Sequence, residues 1–304
     1  MRDNGRSVSR AHSLWLLSGL LGCGRFGFGD LATDSSVAND GAARPCDPTA
    51  AFEPPALIPE LASPSVDATL RFTDDELFGV FWSGRSGSPD LYAATRPALA
   101  APLTVSPLAN VNDPDATDLD PAVSSDGSFL LFASARSGGA GGFDLYEAPR
   151  LGAEYGLPVN VTSLSSLADE HQPILLADTE VFFSSDRTGI SRLYHATRTG
   201  PAAYTPPIAL SELDQAGAST SDPTPSADGL TLYFASDRGG AGNNDIYVAT
   251  RSSLTQPFGA ITVVPSVNSP QTDGSNWLSR DGCRLYLSSA RNGSVKIYLA
   301  SLPP

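Results

Sequence analysis

The chain is short of lysine, methionine, histidine and cysteine. Of its 19 basic residues only Lys296 is a lysine, and there are one Met, three His and three Cys. With a formal net charge of −14 it offers no basic stretch to track a phosphate backbone, which excludes nucleic acid as a partner. No apolar run reaches the ~20 residues needed to span a bilayer; the longest candidate, 14–21, falls well below that. Neither a hydrolase triad nor an EF-hand-like loop can be read from the residues, since His171 and His195 have no paired Ser or Cys nucleophile and no unit carries the calcium-loop pattern. What is plentiful is Gly (28) and Pro (25), with 41% apolar residues. That composition predicts many turns, few long helices and a sizeable core.

The first 22 residues read as an export signal. Arg2, Arg6 and Arg10 precede the short apolar run, which ends in Leu20-Leu21-Gly22-Cys23. This ending resembles a bacterial lipobox, which implies lipidation of Cys23. Gly24 follows where Asp would mark inner-membrane retention, so the resemblance implies an outer-membrane lipoprotein facing the periplasm or the cell surface. Removing 1–22 takes away three Arg and one Asp, leaving 16 basic and 32 acidic residues, net −16. Contact with a membrane is then expected through the lipid alone. Residues 23–51 have a tether's composition, and 52–304 are expected to form the folded domain.

Internal repetition dominates that domain. Five units, 70–96, 121–150, 173–198, 223–251 and 276–301, share a tyrosine at 92, 146, 194, 247 and 298, spaced by 54, 48, 53 and 51 residues. From the opening residue to a shared arginine the count is 15 in four units and 14 in the third. Each unit reads as strand, turn, apolar strand, Gly-rich loop, third strand and a less regular fourth; Asp-Gly at 126–127, 228–229 and 281–282 marks the first turn as a hairpin. Four strands repeated radially predict an all-β, five-bladed β-propeller of four-stranded antiparallel blades. The last unit lacks a fourth strand, while 55–61 precede the first unit and resemble 260–265. An N-terminal strand is therefore expected to complete the last blade and close the ring.

The pattern P-x-x-S-x-D-G, apolar strand, S-D-R-x-G, D-[LI]-Y, best seen at Pro223 to Tyr247 and Pro121 to Tyr146, resembles TolB-type, WD40-like propeller repeats. The resemblance covers about 55–302 and implies a protein-interaction role. Units one and three lack the Asp-Gly, and Arg192 and Lys296 replace the Asp before the shared tyrosine in units three and five.

The arginines Arg85, Arg136, Arg187, Arg238 and Arg291 recur once per unit and are expected to pin a loop within each blade, with Asp90, Asp144 and Asp245 as nearby acids. Three residues before each opening residue stand Asp67, Asp118, Glu170, Thr220 and Asp273; one residue before it stand Thr69, Asp120, Gln172, Asp222 and Ser275. Strand residues two apart share a face. Both sets are thus expected to ring one mouth of the central channel, with His171 beside them. The alternative is that they cap strand ends. Trp82 and Trp277 occupy unlike repeat positions, and Trp277 either packs between blades or stacks a ligand at the mouth. Cys46 and Cys283 are expected to form a disulfide that staples the closure.

The function expected from these features is a monomeric, non-enzymatic envelope module that binds a protein or peptide partner at the acidic mouth. No cofactor is expected, although the carboxylates offer oxygen ligands of the kind Ca²⁺ takes. Two alternatives stay open. One is a glycoside hydrolase using Asp120 with Asp222 or Glu170. The other is a structural calcium-bound propeller.

Overall fold

The structure, a computed structural model, describes residues 46–240 and 242–304. The export signal, Cys23 and the tether as far as residue 45 lie outside the described residues.

The described chain is a ring of five antiparallel sheets. A short strand β1 (Ala56–Leu57) comes first. Blade one is β2 (Asp67–Phe72), β3 (Phe78–Ser83), β4 (Asp90–Thr95) and β5 (Thr104–Pro107). Blade two is β6 (Asp118–Val123), β7 (Phe129–Ser134), β8 (Asp144–Leu151), β9 (Glu154–Tyr155) and β10 (Val159–Asn160). Blade three is β11 (Glu170–Leu176), β12 (Glu180–Ser185), β13 (Arg192–Gly200), β14 (Ala203–Tyr204) and β15 (Ile208–Ala209). Blade four is β16 (Thr220–Pro225), β17 (Thr231–Ser236), β18 (Asp245–Thr250) and β19 (Gly259–Val263). Blade five is β20 (Asp273–Leu278), β21 (Arg284–Ser289) and β22 (Lys296–Ser301), and β1 pairs with β22 as its fourth strand. The molecule is a five-bladed β-propeller closed by its N-terminal strand. In blades two and three the third strand runs on into an extra hairpin, β8–β9 and β13–β14.

Local chemistry explains the turns. Gly127, Gly229 and Gly282 of the Asp-Gly pairs sit at positive φ (75°, 66° and 77°), where a side chain would be strained. In unit one Glu76 holds the same place at φ 56°. Its buried carboxylate accepts hydrogen bonds from Tyr286 Oη at 2.9 Å and Arg96 Nη2 at 3.3 Å and pairs with Arg284, so the strain of the turn is offset by contacts between blades one and five.

The core consists of five apolar clusters, one per junction between neighbouring blades. The junction of blades five and one, built on Leu61, Leu70, Phe81, Tyr286 and Ile297, is packed like the other four. Beside it, Cys46 and Cys283 form a disulfide with Cα atoms 5.7 Å apart. Residues 46–51, placed by composition in the tether, run along blade five: the Asp47 amide donates to Pro303 O at 2.8 Å, and the next residue, Phe52, is buried in the cluster between blades four and five.

Candidate binding site at the channel mouth

The two rings expected at one mouth separate into different environments. Asp67, Asp118, Glu170 and Asp273 are fully buried. Each accepts a hydrogen bond from the shared arginine of its own blade: Arg85 to Asp67 at 2.9 Å, Arg136 to Asp118 at 2.7 Å, Arg187 to Glu170 at 3.1 Å and Arg291 to Asp273 at 3.0 Å. The second oxygen of each takes a backbone N–H, from Ser63, Asp113, Ser166 or Ser269. The same guanidinium also donates to a carbonyl of the preceding connection, Leu61, Val111, Leu164 or Val267. These four carboxylates are internal struts with no oxygen left for a ligand, and the placement expected for them at the mouth is corrected accordingly. Four of the five arginines thus pin their blade through these acids, and not through Asp90, Asp144 and Asp245.

The cause is a β-bulge. Register on the first strand shifts between Ala68 and Arg71, Leu119 and Ala122, His171 and Ile174, and Ser221 and Thr224. At each shift one residue adopts positive φ: Thr69 (57°), Asp120 (52°), Gln172 (50°) and Asp222 (50°). A bulge breaks the two-residue alternation, so residues two apart no longer share a face. In these four blades the first set turns into the blade and the second into the channel; in blade five Asp273 to Ser275 pair regularly and the register shifts one residue later, between Ser275 and Trp277.

In blade four Thr220 replaces the acid. Its Oγ1 is buried without a partner, and Arg238 keeps only Ser236 Oγ and Leu213 O. The two substituted third-strand positions find acids elsewhere: Lys296 reaches Asp67 at 3.0 Å and Arg192 reaches Asp214 at 3.2 Å.

The second set converges on the axis. Thr69 Oγ1 donates to Asp120 Oδ1 at 3.0 Å, and His171 Nδ1 lies 3.3 Å from Asp120 Oδ2. Trp82 Nε1 donates to Thr69 Oγ1 at 3.2 Å, and Phe143 packs on the His171 ring. Asp222 is half-buried; among the described side chains only Ser221 Oγ donates to it, at 3.1 Å. Ser275 Oγ donates to the Asp222 carbonyl at 2.7 Å. Gly274 makes room, since a Cβ there would come within 2.9 Å of Asp222 Oδ2. Among the described residues no group of three or more His, Cys, Asp or Glu is arranged to hold a metal ion.

Beneath this cluster lies a residue that the repeat analysis missed. Arg71 is 1% exposed and spans the channel. Its Nη1 donates to Pro173 O at 2.5 Å and Pro121 O at 3.2 Å, and its Nε to Asn276 O at 3.1 Å. One guanidinium thus ties blade one to blades two, three and five. Arg71 stands where Ala122, Ile174, Thr224 and Trp277 stand in the other units. A lone charge at an otherwise uncharged repeat position was the available signal.

Electrostatics splits the two carboxyls. Burial pushes Asp222 up, and the neighbouring Asp120 charge pushes it further, to about 7, against the pull of Arg71. Burial also acts on Asp120, but the hydrogen bond and charge of His171, with Arg71 and Thr69, outweigh it and hold this carboxyl below its ordinary value. His171 is raised, because Asp120 outweighs its desolvation. Arg71 is lowered to about 10 by burial, with Asp120 and Asp222 opposing. Asp120 is therefore a satisfied anion, and Asp222 is a carboxyl near its titration point with no cation in contact among the described residues.

Trp277 is not at this mouth. It packs against Phe72 and Tyr286, with ring centroids 5.7 and 5.8 Å away, and borders a cavity of about 320 Å³ at the opposite end of the channel together with Leu176, Pro225 and Arg280. Cys283 lies in a turn on that same side, so the disulfide fixes the N-terminal segment away from Asp222.

No protein-family model matches the chain, and a comparison with curated proteins finds no match either. Solved structures do resemble it. An arabinanase from Bacillus subtilis superposes with a TM-score of 0.55 at 12% identity, covering 83% of this chain and 96% of that one. A structure described as TolB from Agrobacterium tumefaciens gives 0.50 at 16% identity, covering 82% and 85%. TolB from Acinetobacter baumannii gives 0.48 at 18% identity; 79% of this chain is covered, and it spans 56% of that protein's length. At these identities the likeness is one of fold alone.

Proposed function

We propose that this chain is a non-enzymatic binding module of the bacterial envelope, anchored by a lipid on Cys23, which receives a basic group of a protein or peptide partner at the channel mouth around Asp222. The observation that carries this reading is the state of Asp222. It is a half-buried carboxyl raised to about 7 beside a second carboxylate, with no cation in contact among the described residues. An arriving ammonium or guanidinium supplies the missing charge and restores full ionisation. The TolB-like architecture is consistent with a partner docking at the channel.

The reading has a pH signature. Below 7 the partner must displace a proton from Asp222, so affinity falls about tenfold per pH unit. The test is capture from envelope extract by the full chain, solubilised in detergent, beside Asp222→Asn. A partner held at pH 8, weakened at pH 6 and lost by the variant supports the proposal; equal capture by both proteins refutes it. Labelled palmitate incorporated by the parent and absent from Cys23→Ser checks the anchor.

One observation favours a second reading. Asp120 and Asp222 are shifted in opposite directions, as a base and an acid acting on one glycosidic bond would be. The arabinanase likeness fits this. Against it, Asp120 is 6% exposed and already engaged by Thr69 and His171. Release of sugar from arabinan, abolished in Asp120→Asn, would establish this reading in place of the first.

A further inference from the structure

The junctions on either side of blade two are built from the same parts. At the junction with blade three, the residue after the shared tyrosine is Glu147, buried to 3%. Arg198 donates to its carboxylate from Nη2 at 2.7 Å and from Nε at 3.1 Å, the Ala202 amide at 2.9 Å, and Tyr204 Oη at 2.8 Å. The Arg198 guanidinium lies 4.0 Å from the centre of the Phe129 ring. The β13–β14 hairpin therefore grips a carboxylate offered by the neighbouring blade.

At the junction with blade one the β8–β9 hairpin presents the corresponding grip. Arg150 pairs with Tyr155 across the hairpin as Arg198 pairs with Tyr204, although positive φ falls at Gly152 in this turn and at Ala202 in the other. Arg150 lies 5.3 Å from the ring centre of Phe78, the counterpart of Phe129. The residue after Tyr92, however, is Ala93. Its partners Val80 and Ser106 occupy the places that Leu131 and Val159 hold beside Glu147, so the register is the same. The carboxylate alone is missing. At the equivalent third-strand position Arg96 and Arg198 each pair with a glutamate, whereas Arg251 donates to Gly229 O and Leu254 O. Arg150 donates Nε to Gly152 O at 3.2 Å and has no carboxylate within 4.0 Å among the described residues. Where the glutamate side chain would lie there is a cavity of about 350 Å³, bounded by Phe78, Ala93, Arg150, Ala153 and Tyr155.

We propose that this cavity binds a carboxylate on a short apolar stem, supplied from outside the chain in the place that Glu147 fills from within it at the next junction. The Arg150 guanidinium takes the oxygens, and the stem lies over Phe78 and Ala93. Stacking on Phe78 and Tyr155 leaves the guanidinium little rotamer freedom to lose. Tyr155 Oη is committed to Gly127 O at 2.9 Å, so Arg150 is the site's principal donor. Glu154, on the rim, is held by Asn110. The cavity exceeds a glutamate side chain in volume, so acids with a bulkier body also fit.

Such a group has two sources: a free organic acid, or the glutamate side chain of a peptide. The test is calorimetric titration of the full chain with butyrate, which is the glutamate side chain cut at Cα, with 4-phenylbutyrate, and with an acetylated Ala-Glu-Ala amide. The expected result is binding of at least one probe to the parent, weakened about tenfold or more in Arg150→Gln and in Ala93→Glu. Ala93→Glu supplies the chain's own carboxylate and is expected to raise the thermal midpoint, which separates occlusion from misfolding. The tighter of acid and peptide identifies the source. Asp222→Asn leaves this binding unchanged, so the site stands or falls apart from the channel. Absence of binding to the parent, binding that survives in both variants, or a lowered midpoint in Ala93→Glu each overturns the proposal.

Discussion

Asp222→Asn removes the least compensated charge in the channel and is expected to stabilise the protein in a pH-dependent way. The folded-state pKa is raised from 3.8 to about 7, so between those values the native state holds a proton that the unfolded state has lost. Stability of the parent therefore falls as pH rises from 4 to 7 and stays low above it. A shift of that size corresponds to about 4 kcal/mol once both states are ionised. Water reaching the half-buried carboxyl screens part of it, so about 2 kcal/mol is the expected gain of the variant at pH 8. At pH 4.5 the expected gain is near zero. Asparagine is well suited to the positive φ at this position, so the substitution adds no backbone strain.

The assay is urea unfolding of parent and variant from pH 4.5 to 8.5, plotted as the difference in stability. His171 and Asp120 titrate in both proteins with signs of their own. The raised His171 contributes stability below its unfolded value that is lost as pH rises through the folded one. The lowered Asp120 contributes stability above its unfolded value that is lost as pH falls through the folded one. Most of these terms cancel in the difference, which reports Asp222. A difference that is flat across the range, or one in which the variant is less stable at pH 8, would refute the electrostatic account of the mouth.

Two further outcomes follow from the same geometry. Arg71→Met removes the guanidinium that bridges blade one to blades two, three and five, leaves carbonyls facing a hole, and is expected to cost about 3 kcal/mol by the same unfolding assay; Arg71→Lys restores little, because one ammonium cannot reach opposite walls. Reduction of Cys46–Cys283 opens a loop closed over 237 residues and is expected to cost about 5 kcal/mol on the chain-entropy account, while far-ultraviolet dichroism stays that of a propeller because β1 remains paired with β22.

Blade number, strand order and ring closure were legible because they depend on features that recur: a tyrosine every 48 to 54 residues, Asp-Gly turns, and a spare strand before the first unit. The orientation of side chains at the mouth was less legible. Alternation places Asp118 and Asp120 on one face; the mark against it was the proline after the bulge residue in three units, Pro121, Pro173 and Pro223, since proline within a strand is confined to edges, ends and bulges. Arg71 was visible only as an exception, and its contacts, all to backbone carbonyls, have no side-chain signature to search for. The β9 and β14 hairpins, which shape the grips around Glu147 and Ala93, are two-residue strands with no apolar periodicity of their own.

The bulge itself links architecture to function. Four residues at one repeat position, none of them glycine, hold positive φ, and Thr69 is β-branched, the type least tolerant of it. Each such residue costs on the order of 1 kcal/mol or more. A propeller needing only to close its channel could place glycine there, or keep the strand regular. What accompanies the bulge is a change of side: in blades one to three a carboxylate turns into the blade against arginine, and the next polar residue turns onto the axis. Strain repeated in four blades belongs to the scaffold. The chemistry set on it does not repeat, since the four positions carry Thr, Asp, Gln and Asp, and only at Asp222 is the resulting charge left without a counter-ion. The strain therefore holds a polar ring in the channel, and the sequence at each position decides what that ring can bind.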